Sequence, residues 1–512
     1  MAGMKSHINR RDFIKLSGAL SAGLLTPRLM RNLTTISQAG RGQNVLIIVF
    51  DALSAMNISF YGYGRKTTPN LAKLSEKAVV YHNHFAGGNF TSPGTASLLT
   101  GTHPWTHRAF QPGSRVADAV EAQNIFNVFQ GYYRIAYTHN GWAYILLRQF
   151  RKYMDELVPQ QKLFLESYDD FIHTLFYNDD DISGLAWARN IDNGEGYSYS
   201  LFLSHFYEAI QNRGIEGLKK RFPRGIPSTY SSDKNVFLLE QAVDWIGNRL
   251  TVVPKPFLGY FHFLPPHEPY RTSIDFYGHF ANDGFHPLDK PVDVFAGAKA
   301  DNNLIQIRTE YDEYILYADQ AFGELYQSLE RTGLLENTWV IFTSDHGEMF
   351  ERGLVGHGNP TMYQPLIRVP LLIFEPGRET GENIYAPTSA IDILPTFLHL
   401  TGRKVPAWVE GAILPPYSGS SPDPNRDIYV MTAKKNGQFQ PFTNASMALV
   451  RGNHKLVHCF GYPDTQGDIL QLFDIQSDPE ELNNLYLSKP DVAQVLFDVL
   501  RAKLTEINQP YV

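Results

Sequence analysis

Trp339-Val340-Ile341-Phe342-Thr343-Ser344-Asp345-His346-Gly347-Glu348 is the stretch that decides the fold. Every residue from Trp339 to Thr343 is β-branched or aromatic, which predicts a buried strand. The strand stops abruptly at Asp, His, Gly and Glu. In an open parallel sheet, ligands bind just past the carboxyl ends of the strands. A carboxylate beside an imidazole at such a place is a ready pair of metal ligands. A solvated turn carrying two polar residues has the same local sequence, so the weight falls on other strands that end alike.

Asn44 to Phe50 is a continuous apolar run, the pattern of a central strand covered on both faces. It ends in Asp51, either a metal ligand or the cap of a following helix. Phe257 to Phe263 is a further strand and leads into Leu264-Pro265-Pro266-His267-Glu268-Pro269-Tyr270. His262, inside that strand, reads as structural. Val79 to Phe85, Gly131 to Asn140 and Arg368 to Phe374 are additional strand candidates. Ser92-Pro93 reads as the cap and first residue of a helix that Gly101 terminates. Thr91 and Ser92 therefore stand at a helix N-terminus, where free N–H groups and the dipole favour an anion. Tyr311, Tyr314, Ile315, Ala318, Phe322, Leu325 and Leu329 recur at spacings of three and four and form the apolar face of a long helix. Gly356-His357-Gly358 places another imidazole in a glycine-flanked loop, and Asp392 reads as a helix cap.

The chain has 512 residues, 43% hydrophobic and 19% charged, enough for a large core and more than one domain. A net charge of -7 does not mark a general nucleic-acid binder. Cys459 is the single cysteine, which excludes an intramolecular disulfide and a thiolate metal cluster. Arg10-Arg11-Asp12-Phe13, followed by the apolar residues Leu16 to Leu25, resembles a twin-arginine export signal. That apolar part is too short to span a bilayer, and no later stretch is apolar for long enough. The expected organisation is a signal segment over 1–40, a catalytic domain over 42–405 with a helical insertion at 148–235, and a C-terminal antiparallel-sheet and helix subdomain over 420–512. The run Asp179-Asp180-Asp181 in the insertion reads as a solvated loop.

The segment Asn89 to Gly101 resembles the sulfatase branch of the alkaline phosphatase superfamily. In that branch the nucleophile motif is Cys/Ser-x-Pro-x-Arg with a Leu-Leu-Thr-Gly tail. Thr91 takes the nucleophile place, Pro93 matches, Thr95 stands where Arg is expected, and Leu98 to Gly101 match. The His-x-Pro-Tyr loop at His267, the Arg368 strand and the segment Leu472 to Leu485 extend the likeness from about residue 44 to 505, apart from the insertion. It implies an α/β fold: a large, mixed, mostly parallel sheet flanked by helices, with a smaller C-terminal α+β subdomain. It also implies that Asp51, Asp345 and His346 bind one divalent metal ion and that Thr91 completes the site. His267 and His357 would hold the anion in place of the absent Arg. Ala52 occupies a position where many members carry a second acid, so Mn or Zn suits the His-containing set better than Ca or Mg.

A Thr cannot become the formylglycine of ordinary sulfatases. An unmodified Thr resembles the nucleophile of the phosphodiesterases and of the phosphoglycerol and phosphoethanolamine transferases of the superfamily. The implied activity is hydrolysis of phosphate or sulfate esters through a covalent Thr91 intermediate. A transferase of that kind, or a non-catalytic glycan-binding member of the fold, are the alternatives. The expected substrate is a small-molecule, glycan-linked or lipid-linked ester, and the expected location is outside the cytoplasm.

Overall fold

The computed structural model describes residues 42–165, 217–230, 232–299, 303–419, 421, 423–463 and 465–512. The export-signal segment and Asp179-Asp180-Asp181 lie outside them. Residues Gln43–Val512 form one compact unit. Its centre is an eight-stranded sheet: β1 (Asn44–Phe50), β2 (Val79–Tyr81), β3 (Tyr133–Thr138), β4 (Glu156–Leu157), β5 (Phe257–Phe263), β6 (Thr338–Thr343), β7 (Leu371–Phe374) and β8 (Glu382–Ile384). Their spatial order is β8-β2-β7-β6-β1-β5-β3-β4. Every neighbouring pair is parallel except the two made by β7. This is the mixed, mostly parallel α/β sheet that the sequence implied. The Val79–Phe85 stretch divides: His84–Phe85 leaves the main sheet and pairs with Thr388–Ser389.

β1 is buried throughout because both faces of the sheet are covered. Leu46, Ile48 and Phe50 join one apolar core with Phe322, Leu325 and Phe342. That face carries helix α5 (Leu304–Arg331), whose apolar residues lie where the three-and-four spacing put them. Val45, Ile47 and Val49 turn the other way, toward Ala96, Leu98 and Leu99 of helix α2 (Thr91–Thr100) and Leu394 and Phe397 of helix α6 (Ile393–Leu400). Short helix α1 (Pro69–Ser75), α3 (Gly141–Gln149) and α4 (Leu239–Val252) complete the two layers.

The register sets the crest of the sheet. Phe50 is level with Phe263, and Val49 with both His262 and Thr343. The carboxyl ends of β1, β5 and β6 therefore open onto one place, with β3 beside them, since Thr138 is level with His262.

The helical insertion expected over 148–235 lies largely outside the described residues. Its described ends carry edge strand β4 and a short hairpin formed by Ser228–Thr229 and Ser232–Val236. Toward the C-terminus, β9 (Ile428–Thr432), β10 (Ala445–Arg451), β11 (His454–Phe460) and β12 (Ile469–Asp474) form an antiparallel sheet in that order, packed by helix α7 (Pro490–Asn508). Asp392 makes no side-chain cap to α6; its carboxylate instead accepts the Ser389 amide at 2.8 Å, so that Ser389 is the cap of the turn before the helix, and the Arg426 guanidinium grips both Asp392 oxygens. Among the described residues no helix is long and apolar enough to cross a membrane.

Candidate active site

β1 gives way to Asp51, whose amide donates to the Phe263 carbonyl at 2.9 Å. β6 gives way to a turn held by Ser344, whose hydroxyl donates to the His346 carbonyl at 2.6 Å and accepts from the Leu53 amide at 2.9 Å. Gly347 is required in that turn, because a Cβ there would lie 2.0 Å from the Pro365 carbonyl oxygen. These contacts aim Asp345 and His346 at Asp51. His346 Nε2 lies 3.3 Å from Asp51 Oδ1 and 3.7 Å from Asp345 Oδ2.

Thr91 is the first residue of α2, after Phe90 in extended backbone. The cap is thus Phe90 and not Ser92, whose hydroxyl accepts from the Gly113 amide. The shift of two residues leaves the Thr91 hydroxyl free for the site. Its Oγ1 stands 3.4 Å from His346 Nε2 and accepts from Asn140 Nδ2 at 3.3 Å. Thr95, in the expected Arg place, donates to Asp345 Oδ2 at 3.3 Å.

Two residues join this cluster that the sequence did not single out for it. His262, read as structural, points its Nε2 into the crest, 3.2 Å from Asp51 Oδ2 and 3.8 Å from Asp345 Oδ2. Its other nitrogen meets the Tyr260 hydroxyl at 3.1 Å, which fixes the ring. Asn140 caps α3 with its side-chain oxygen while its Nδ2 donates to Asp51 Oδ2. His262 was hidden inside an apolar strand; being next to last in it was the available signal. Asn140, two residues past β3, obeyed the same strand-end rule as Asp51 and Asp345.

Ligand atoms of Asp51, His262 and Asp345 all lie within 4.8 Å of one another, and all three residues are buried. Asp51 Oδ1 and His262 Nε2 are buried with no hydrogen bond of good geometry, which polar atoms in a core seldom tolerate. His346 Nδ1 meets the Gly347 carbonyl at 2.9 Å, so it is a donor and Nε2 is the nitrogen turned to the cluster. Carboxylates and imidazoles converging in this way fit one divalent cation.

The electrostatics follow from the same crowding. Burial resists ionisation of Asp51, yet His267 and the close imidazoles of His262 and His346 hold its pKa well below the usual carboxylate range. Burial and then repulsion from Asp51 raise Asp345. Burial works against protonation of His346, but Asp345 and Asp51 push it up to about 9. Burial lifts Glu348 to about 7.

Above the cluster is a cavity of about 300 Å³ whose walls include Thr91, Trp142, Tyr230, His267, His357 and Lys434. The His357 ring lies 4.3 Å from that of His346 and 4.8 Å from that of His267. His357 Nδ1 is 2.9 Å from Glu348 Oε1, and Glu348 also accepts from the Tyr270 hydroxyl at 3.3 Å. His267 Nδ1 meets the Glu268 carbonyl at 2.7 Å. Burial, then His346 and His267, hold His357 well below the usual imidazole range, so it is neutral. Lys434 arrives from the loop after β9 and had no signal in the sequence. The predicted residues Asp51, Thr91, Asp345, His346, His267 and His357 are thus brought together around one cavity and the cluster beneath it.

A family model described as Sulfatase matches residues 43–403, and one described as N-sulphoglucosamine sulphohydrolase, C-terminal, matches 357–510. Choline-sulfatase of Rhizobium meliloti (strain 1021) is 26% identical over 464 residues, covering 86% of this chain and 82% of that protein. The multifunctional alkaline phosphatase superfamily protein PehA of Trinickia caryophylli is 24% identical over 503 residues, covering 86% and 91%. The crystal structure of the phosphonate monoester hydrolase of Agrobacterium radiobacter superposes with a TM-score of 0.64 at 20% identity, over 90% of this chain and 96% of that one, and shares the fold. With the Sulfatase model spanning 43–403, the chain belongs to the sulfatase family of ester hydrolases, a branch of the alkaline phosphatase superfamily.

Proposed function

We propose that this chain cleaves sulfate or phosphate esters with Thr91 as the nucleophile. One observation carries the reading: the buried Thr91 hydroxyl sits at the start of α2 against His346 Nε2 and Asn140 Nδ2, in the cluster made by Asp51 and Asp345. Asp51, Asp345 and His346 would hold a divalent cation, with His262 Nε2 alongside; Mn or Zn suits a set that includes imidazole. When bound, the cation supplies the positive charge that makes the Thr91 alkoxide accessible near neutral pH and offsets the charge of the substrate anion.

The chain's own residues then have distinct tasks. Asn140 steers Thr91 by donating to its oxygen and ties it to Asp51. Thr91 Oγ1 forms a bond to sulfur or phosphorus as the bond to the ester oxygen breaks, and His267 protonates that leaving oxygen. Glu348 orients His357 through Nδ1, which leaves the Nε2 lone pair to accept a proton from the water that later cleaves the covalent Thr91 ester. The cavity admits a small ester or one terminal residue of a larger chain. Choline-sulfatase, among the relatives, is consistent with a small sulfate ester, and PehA with a broader set. The Arg10-Arg11 motif supports export by the twin-arginine route after the cation is bound.

The test is turnover of an aryl sulfate, an aryl phosphate and an aryl phosphodiester by the wild type and by Thr91→Ala. The expected result is hydrolysis of at least one ester, lost by roughly 10³-fold or more in Thr91→Ala. Undiminished hydrolysis by Thr91→Ala overturns the nucleophile assignment.

A further inference from the structure

Lys434 is not part of the cluster beneath the cavity, and no part of the reaction above uses it. It enters the cavity wall from the loop after β9, far along the chain from the other site residues. Its Nζ donates to the carbonyls of His357 and Gly358, both at 3.2 Å, and lies 4.3 Å from the centre of the Phe90 ring. Phe90 immediately precedes Thr91, and Thr91 and Lys434 line the same cavity. Among the described residues no carboxylate stands at ion-pair distance from it. Glu348 is the acidic group that reaches it electrostatically, and Glu348 is already engaged by His357 and Tyr270. Burial, which Glu348 only partly offsets, pulls Lys434 down to about 8, the direction expected for an ammonium stripped of water. Two neutral carbonyls and an aromatic face orient this charge without neutralising it. The guanidinium expected at Thr95 is absent, and Thr95 faces Asp345 instead.

We infer that Lys434 is an anion-binding residue of this cavity and that its ammonium takes an anionic oxygen of the bound ester. The inference deepens the proposed activity and rests on it for the identity of the ester, but not for the binding of the anion. The oxygen belongs either to the transferred sulfuryl or phosphoryl group or to an acidic substituent on the leaving group, since both present the same charged acceptor.

The test uses the full-length, metal-loaded protein. Equilibrium binding of inorganic sulfate and of inorganic phosphate is measured for the wild type, Lys434→Met and Lys434→Arg, each in the Thr91→Ala background so that turnover plays no part. KM is then compared in the Thr91 enzymes for an aryl ester with a neutral leaving group and for one carrying a ring carboxylate. Lys434→Met is expected to weaken binding by about tenfold or more, and Lys434→Arg to keep it within about threefold. Weaker inorganic anion binding with raised KM for both esters assigns the contact to the transferred group. Unchanged inorganic anion binding with KM raised only for the carboxylated ester assigns it to the leaving group. If Lys434→Met changes neither, the inference is overturned; Lys434→Arg and the urea midpoint show that the fold is intact. If Thr91→Ala still hydrolyses esters while Lys434→Met still loses anion binding, the nucleophile reading has failed and this one stands.

Discussion

Gly94→Ala perturbs a close approach between α2, which carries Thr91, and the turn that carries Asp345 and His346. α2 presses its first turn onto the backbone of Asp345, and a Cβ on Gly94 would lie 2.1 Å from the Asp345 carbonyl oxygen and 2.9 Å from its carbon. Ordinary contact begins near 3.4 Å, so helix and strand end must part by roughly 1.3 Å in a close-packed interior that transmits the strain. The obstacle is backbone, with no flexible side chain to swing aside. Overpacking of this kind costs about 1–3 kcal/mol of stability. The larger effect falls on Thr91, three residues away on the same turn: a misplacement of about 1 Å costs on the order of 10²-fold in rate. The assay is kcat on the best aryl ester at saturating metal, with the urea midpoint measured in parallel. Gly217→Ala is the control, because nothing lies within 4 Å of the Cβ it would add and the residue is helical; kcat should be unchanged. A Gly94→Ala enzyme that turns over at the wild-type rate would refute the claim that Thr91 must be held against Asp345.

Asn140→Asp keeps the oxygen that caps α3 but replaces the donor to Asp51 and Thr91 with a carboxylate; kcat should fall by about 10²-fold while the urea midpoint moves little. Buried His107 donates from Nε2 to Ser97 Oγ and accepts the Ala109 amide at Nδ1, and burial lowers it to about 3. The unfolded chain therefore takes up this proton first, so the stability His107 provides is complete above pH about 6.5 and is lost as pH falls toward 3, by up to about 1.4 kcal/mol per pH unit. His107→Gln should flatten the fall in unfolding free energy between pH 6.5 and 5 (about one and a half units); an unchanged slope would remove this residue from the acid response. Lys455 is fully buried against Glu481 and the Met362 carbonyl. Lys455→Met should destabilise by about 3–5 kcal/mol by stranding Glu481, and adding Glu481→Leu should recover much of it in urea unfolding.

The strands around Asp51, Asp345 and the His267 loop were legible because a parallel sheet buried on both faces needs long apolar runs, and polar residues at their ends stand out. α5 was legible for the same reason in helical period. His262 was not, since an imidazole inside a doubly covered strand carries no mark of which end of the sheet it occupies; only the register with Val49 and Thr138 places it at the crest. Asn140 has the residue type of a helix cap and does cap α3, so its second task through Nδ2 was invisible without the β3–β5 pairing that sets it beside Asp51. Ser92 misled by two positions because Ser-Pro is a strong capping signal, whereas the extended Phe90 is the cap and Thr91 the first helical residue. Lys434 depends on how the C-terminal sheet packs over the crest, and no local pattern encodes that.

The most direct test of the central claim, that side chains from separate strands gather one cation beneath Thr91, is the rate of aryl ester hydrolysis as divalent metal is returned to chelated, full-length protein. The account predicts negligible turnover without metal and a linear rise that levels off at one equivalent per chain. Full activity in the metal-free protein, or a rate indifferent to added metal, would contradict it.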